Sequence, residues 1–183
     1  QPIGMALRIF PKLLYGDDHA YGLPFTGSGS EESVKSLDTD ALKDFHQSWF
    51  KANNATLVVV GYVTMNELKP LLEKQFRKWH AGDVPRKNIA GVAHRSESTI
   101  YLVDRPDSEQ SIIFAGHIAP PKNNDHEIAI EAMNEVLGGS FAARINMNLR
   151  EDKHWSYGAR SLLFDAQGQR PFLVYASVQT DKT

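Results

Sequence analysis

Six residues, DAQGQR at 165–170, are all that separate the apolar runs YGARSLLF (157–164) and PFLVYASVQ (171–179). Extended segments joined this tightly pair antiparallel, because parallel neighbours need a crossover of a dozen or more residues. The same logic predicts a hairpin-like pair from TIYLV (99–103) and SIIFAGH (111–117), turned by DRPDSEQ. A fifth run, ATLVVVG (55–61), is continuous rather than alternating and reads as a buried strand closed by Gly61.

Helical patterns fill the intervals. MALRIFPKLLY (5–15) reads as a helix interrupted at Pro11, which has no N–H to donate. The glycine- and serine-rich GLPFTGSGSEES (22–33) reads as a loop. A helix capped by Thr39 or Asp38 then puts Leu42, Phe45 and Trp49 on one face, and Asn53-Asn54 ends it. Thr64 opens another, with Met65, Leu68, Leu72, Phe76 and Trp79 as its stripe and Pro70 as a misfit. Ala129, Met133, Val136 and Leu137 make a third stripe, closed by Gly138-Gly139. Phe141, Ile145 and Leu149 make a fourth, with Arg150 one residue beyond it. The order is α-α-β-α, then β-β-α-α-β-β. That is an α+β arrangement, antiparallel sheet layers flanked by helices, and not an alternating doubly wound sheet. Periodicity vanishes in HAGDVPRKNIAGVAHRSES (80–98), so residues 1–80 are expected to end one domain, 81–98 to link, and 99–183 to start the next.

Composition excludes several classes. A net charge of −2 gives no basic excess for general nucleic-acid binding. No apolar run approaches the ~20 residues of a membrane-spanning helix. The absence of cysteine removes disulfide frameworks and thiolate zinc sites, and leans towards a periplasmic or otherwise extracytoplasmic location. The start at Gln1, with no basic segment leading into an apolar core, predicts a processed or excised piece.

Seven histidines raise the question of zinc. A helical zinc pair needs two histidines three or four apart with a carboxylate beside them, as in H-E-x-x-H or H-x-x-E-H. Neither string occurs, and HEIAI at 126–130 lacks the second histidine, so His126 reads as a first-turn surface residue. TGSGSEES (26–33) has no P-loop lysine, and no G-x-S-x-G elbow is present. LGGSF (137–141) is either an anion-binding helix start or a helix-to-helix turn that needs glycine's freedom. LREDKHWSYG (149–158) puts Arg150 at a helix end and Tyr157 at a strand start. Either Arg150 pairs with Glu151 or Asp152, or it joins Tyr157 on one surface, a fork of donors beside a phenol able to donate to an oxyanion.

Several blocks together resemble the pitrilysin/insulinase family of zinc metallopeptidases. They are LLYGDDHAYGLPFTGSG, DALKDFHQSWFKANNATLVVVG, FRKWHAG, IYLVDRPDSEQSIIFAGH and NEVLGGSFAARINMNLREDKHWSYGARS, which follow that family's order over essentially the whole chain. The resemblance implies repeated α+β domains of the LuxS/pitrilysin-like metallopeptidase fold, arranged as two halves around a peptide-holding chamber. One domain carries H-x-x-E-H and a distant glutamate, which hold zinc; the zinc polarises the scissile carbonyl and activates water. The opposite half supplies an R-x-x-x-x-x-x-Y pair, matched here by Arg150 and Tyr157. The resemblance therefore implies a segment of a zinc-dependent endopeptidase acting on peptides or unfolded polypeptides. Tyr157 would donate to the oxyanion, Arg150 would clamp substrate carbonyls, and Gly138 and Gly139 would line the substrate side. The metal would belong to an H-x-x-E-H half elsewhere in the same chain or in a partner subunit, so this chain alone is expected to bind none and to be inactive. His154 and Trp155 depart from the small or glycine residues usual at this corner. The same family also contains non-catalytic subunits, such as respiratory-complex core proteins and the glycine-rich partner of the mitochondrial processing enzyme. A binding or assembly role is the alternative. An edge strand, IYLV or SIIFA, could accept an extended peptide by strand addition.

Overall fold

The computed structural model describes residues 2–183. Contacts divide the chain into two compact units, Gln1–Gly29 with Asn88–Thr183, and Ser30–Lys87. The division does not follow chain order as the linear reading at 81–98 does, because the first helix packs on the sheet of the second block.

The larger unit is built on a three-stranded antiparallel sheet of order β1-β3-β2. Here β1 is Gln110–Ala119, β2 is Ser156–Leu163 and β3 is Arg170–Gln179. The expected β2–β3 hairpin forms. The β1 run is longer than expected and pairs with β3 over its whole length, from Gln110 opposite Gln179 to Ala119 opposite Arg170. β3 takes the centre because it is the run that can be buried on both faces. Arg170, expected in the turn, is instead the first residue of β3, and its side chain is buried.

Helices cover the two faces. α1 (Pro2–Tyr15) lays Phe10 edge-on against Phe114 of β1 at 5.7 Å between ring centres, and Phe114 meets Tyr175 of β3 in the same way. On the other face, Ala159, Ala176 and Val178 form a buried cluster with Ile145, Leu149 and Trp155 against it. These last residues come from α6 (Arg144–Asn146), its continuation Met147–Asp152 and the corner beyond. α5 (Glu127–Asn134) runs on into Glu135–Gly139. Both continuations are π-helical, a geometry that is uncommon and frequently found at functional sites.

Pro11 does not interrupt α1. Its missing N–H orphans the carbonyl of Leu7, and that carbonyl accepts instead from the N–H of Phe25, at 2.9 Å. The chain after α1 thus repairs the defect. Residues 88–95, within the expected linker, are bonded into this unit: Asn88 O accepts from Ala20 N, Val92 N donates to Gln169 Oε1 at 2.6 Å, and Arg95 donates to Leu13 O.

The smaller unit holds α2 (Glu31–Ser36), α3 (Thr39–Trp49) and α4 (Met65–Phe76). Asp38 caps α3 through the N–H groups of Asp40 and Ala41, and Asn54 closes it by donating to Trp49 O. α2 begins inside the stretch read as loop, where Ser30 and Ser33 cap each other reciprocally. Pro70 sits within α4 unharmed; it and Asn66, whose carbonyl it leaves free, both face water.

Two expected strands are not formed. Residues 55–61 and 99–103 are in no strand, and Val60 and Ile100 are 93% and 94% exposed. The reason is the ladder: an extended run with no neighbour leaves its N–H and C=O groups to water and buries nothing. For the same reason no described residue of 30–87 is fully buried.

Candidate functional site

The corner at 149–158 is tied down by backbone hydrogen bonds. Trp155 N donates to Leu149 O at 2.9 Å, and Trp155 O accepts from Gln179 N at 2.9 Å. The first bond closes the helix end; the second fastens the turn to the end of β3. Between them His154 adopts φ of +58°. That left-handed region favours glycine, so a histidine there is strained unless something holds it. His154 Nδ1 lies 3.0 Å from Arg150 O, a bond across the turn in which the carbonyl accepts.

Tyr157 is placed by a β-bulge. Ser156 lies opposite Val178 and Ala159 opposite Ala176, so three steps along β2 match two along β3. The extra residue breaks the alternation. Without it Tyr157 would share the face of Ala159, which is completely buried. With it Tyr157 is 87% exposed. The Ser156 hydroxyl braces the bulge, donating to Gly158 O at 2.9 Å and accepting from Gly158 N at 3.1 Å.

Arg150 sits in the π-helical turn Met147–Asp152. Its Nε is 3.2 Å from Glu151 Oε1, and its guanidinium carbon is 4.8 Å from the centre of the Phe141 ring. The Glu151 pairing weighed from the sequence is therefore present, in a half-exposed setting where such pairs contribute about 0–1 kcal/mol. The Phe141 contact lies nine residues back and has no sequence signature. Neither does the buried Asn146, whose Nδ2 donates to Phe141 O at 2.7 Å and whose Oδ1 accepts from Ala159 N at 3.1 Å.

Gly138 and Gly139 differ. Gly138 is buried, and a Cβ there would lie 2.4 Å from Ser161 N of β2. Close approach of helix to strand explains this glycine. At Gly139 the nearest atom to a Cβ would be Glu135 Oε1, 2.8 Å away at the end of a flexible side chain.

Among the described residues no three of His, Cys, Asp or Glu are grouped to hold a metal. His126 stands at the start of α5, and its neighbour Glu127 is engaged by Arg170 and Asn124. The Arg170 guanidinium, buried beside it, and then the Asn124 amide hold the Glu127 carboxyl below the ordinary carboxylate range. That group is a structural anchor between α5 and β3. No described helix is long and apolar enough to cross a membrane.

Comparison with known proteins identifies the family and the fold. The chain is 24% identical over 153 residues to the uncharacterized zinc protease YmxG of Bacillus subtilis, covering 84% of this chain and 36% of that protein. It is 23% identical over 173 residues to the uncharacterized zinc protease SCO5738 of Streptomyces coelicolor, covering 92% and 37%. The chain thus spans little more than a third of the length of these curated relatives. The fold is that of a peptidase M16 inactive domain from Pseudomonas fluorescens, with a TM-score of 0.85 and 21% identity over 98% of this chain and 42% of that one. A protease from Helicobacter pylori superposes with a TM-score of 0.82 and 19% identity, over 98% and 43%. Residues 36–183, most of the chain and all of the Arg150–Tyr157 corner, match the peptidase M16 inactive domain, and the chain belongs to that family of zinc-peptidase domains.

Proposed function

We propose that this chain forms the substrate side of a zinc-dependent endopeptidase acting on peptides or unfolded polypeptides. The observation that carries the reading is the bulge at 156–159, which turns a tyrosine out of a buried face into solvent beside an arginine-bearing turn. A bulge that only ended pairing would not need a phenol at its crest. Hydrolysis of a peptide bond puts negative charge on the scissile carbonyl oxygen. The Tyr157 hydroxyl donates to that oxyanion, and the Arg150 guanidinium donates to a substrate carbonyl and holds the chain in place. The backbone clasp of Trp155 fixes the segment between the two residues before substrate arrives.

The metal is supplied elsewhere, by an H-x-x-E-H half of the parent protein or a partner subunit. The exposed apolar runs at 55–61 and 99–103 support this placement, since contiguous exposed apolar surface marks a face meant to be covered. The Arg150–Glu151 pair favours a second reading, a binding or assembly role without chemistry, because an arginine already neutralised need not meet substrate.

Steady-state kinetics of the assembled enzyme on a quenched peptide separates the two. Tyr157→Phe is expected to lower kcat about 10²–10³-fold with little change in KM, since the bond forms only in the transition state. Arg150→Ala is expected to raise KM as well. Melting curves of both variants should stay close to the wild type, because Tyr157 is exposed and Arg150 is half-exposed with only surface contacts. Near-full kcat in Tyr157→Phe would sink the catalytic reading and leave the assembly role.

A further inference from the structure

We propose that Phe141 is the positioning residue for Arg150, a ring platform that holds the guanidinium in the orientation that meets substrate. The proposal rests on the reading of Arg150 as the clamp on substrate carbonyls. Phe141 is 61% exposed, so the core does not account for it. What it does touch is Arg150, with the guanidinium carbon 4.8 Å from the ring centre. An aromatic face attracts the cation without occupying its N–H groups, so the donors stay free for a carbonyl. The competing holder, Glu151, takes Nε, and a pair between adjacent surface side chains is weakened further by salt.

The platform is itself anchored. Asn146, 4% exposed, bonds the Phe141 carbonyl with its amide N–H and the Ala159 N–H with its amide oxygen. One buried side chain thereby joins the loop that carries Phe141 to the strand that carries Tyr157. It also stands one helical turn before Arg150. The ring is thus referenced to both functional residues through hydrogen bonds shielded from water, where a lost bond is costly. Without the platform Arg150 samples its many rotamers, and substrate has to order it on binding.

A double-mutant cycle in the parent peptidase tests this, with Phe141→Leu, Phe141→Tyr, Arg150→Ala and the double variant Phe141→Leu/Arg150→Ala. Phe141→Leu keeps the apolar bulk and removes the π face. It is expected to raise KM about two- to fivefold with kcat unchanged, the size of an exposed cation–π contact. Phe141→Tyr should restore wild-type KM, and Phe141→Leu should add nothing once Arg150 is alanine. A second readout needs no activity: in this chain alone, the NMR signals of the Arg150 δ-protons should carry a ring-current shift that Phe141→Leu removes. If Phe141→Leu raises KM equally in the presence and absence of Arg150, the ring acts on substrate directly and the proposal is overturned. Absence of the ring-current shift overturns it as well. If Arg150→Ala itself leaves KM unchanged while the shift is present, the contact is real and the clamp reading has failed, taking the positioning role with it.

Discussion

Gly138→Ala offers a sharp test of how the site is supported. An added methyl would sit 2.4 Å from Ser161 N, 2.6 Å from Ser161 Oγ and 2.9 Å from Ser161 Cβ. Comfortable separation is about 3.5 Å or more, so the π turn and β2 must part by roughly 1 Å. Two of the atoms met belong to a strand backbone and a Cβ, which cannot swing aside. Overpacking of this kind costs about 1–3 kcal/mol. The movement also stretches the bond of 2.7 Å from Ser161 Oγ to Asn134 Oδ1, worth about 1 kcal/mol. Alanine's better helix propensity returns up to about 1 kcal/mol. The net expectation is a loss of about 2–3 kcal/mol, or about 10 °C in Tm for a unit of this size. Gly139→Ala is the internal control. There a Cβ would meet the end of the Glu135 side chain at 2.8 Å and Asn134 Nδ2 and O at 3.1 Å, milder contacts than at Gly138, and Tm should fall clearly less than in Gly138→Ala. Thermal melts of the two variants by circular dichroism decide it. Equal melting temperatures would refute the packing argument. If Gly138→Ala melts normally but loses peptide binding, this glycine meets substrate and not Ser161.

Three further outcomes follow from the geometry. At His154, φ of +58° makes valine unfavourable by about 1–2 kcal/mol, while glycine relieves strain but forfeits the bond to Arg150 O and stays within about 1 kcal/mol of wild type; a valine variant with an unshifted urea midpoint would contradict the backbone assignment. Glu67 accepts from the Thr64 backbone N–H, then from its hydroxyl, which depresses its pKa. Its contribution to the α4 cap is therefore present above the unfolded value of about 4.3 and is lost as pH falls through the lower folded value; the protection factor of the Thr64 amide, relative to its intrinsic exchange rate, should fall below about pH 4, and protection that does not change with pH would remove Glu67 from the cap. Zinc-loaded, desalted chain should retain far less than one equivalent by elemental analysis, because the donors are not grouped; one zinc per chain would overturn the division of labour proposed above.

Much of the local structure was legible. Asp38 announces α3 and Thr64 announces α4, because a cap needs only residues three apart in sequence. The β2–β3 hairpin follows from two apolar runs and a short turn. Arg150 and Tyr157 stand out in the sequence by their spacing within a family-like block, but the bulge that exposes Tyr157 does not. A bulge is a mismatch between two strands, and one strand cannot reveal it. The contacts of Phe141 and Asn146 are hidden for the same reason: their partners lie nine and thirteen residues away in sequence, beyond any helical or strand period. Pro11 reads as a break in isolation, and only the returning chain at Phe25 shows where the orphaned carbonyl goes.

What the sequence determined alone is whatever short-range physics decides: caps, most helical stripes, the tight antiparallel turn and the absence of a helical zinc pair. The tertiary structure decided which extended runs become strands. β1 finds its partner in β3, sixty residues on and in full register, and is a strand. Residues 55–61 and 99–103 carry as strong an apolar pattern, but no neighbouring strand pairs with them, and they remain exposed. A helix satisfies its own N–H and C=O groups within a few residues, so its pattern is nearly sufficient; a strand borrows that satisfaction from another part of the chain, and no local pattern can promise it.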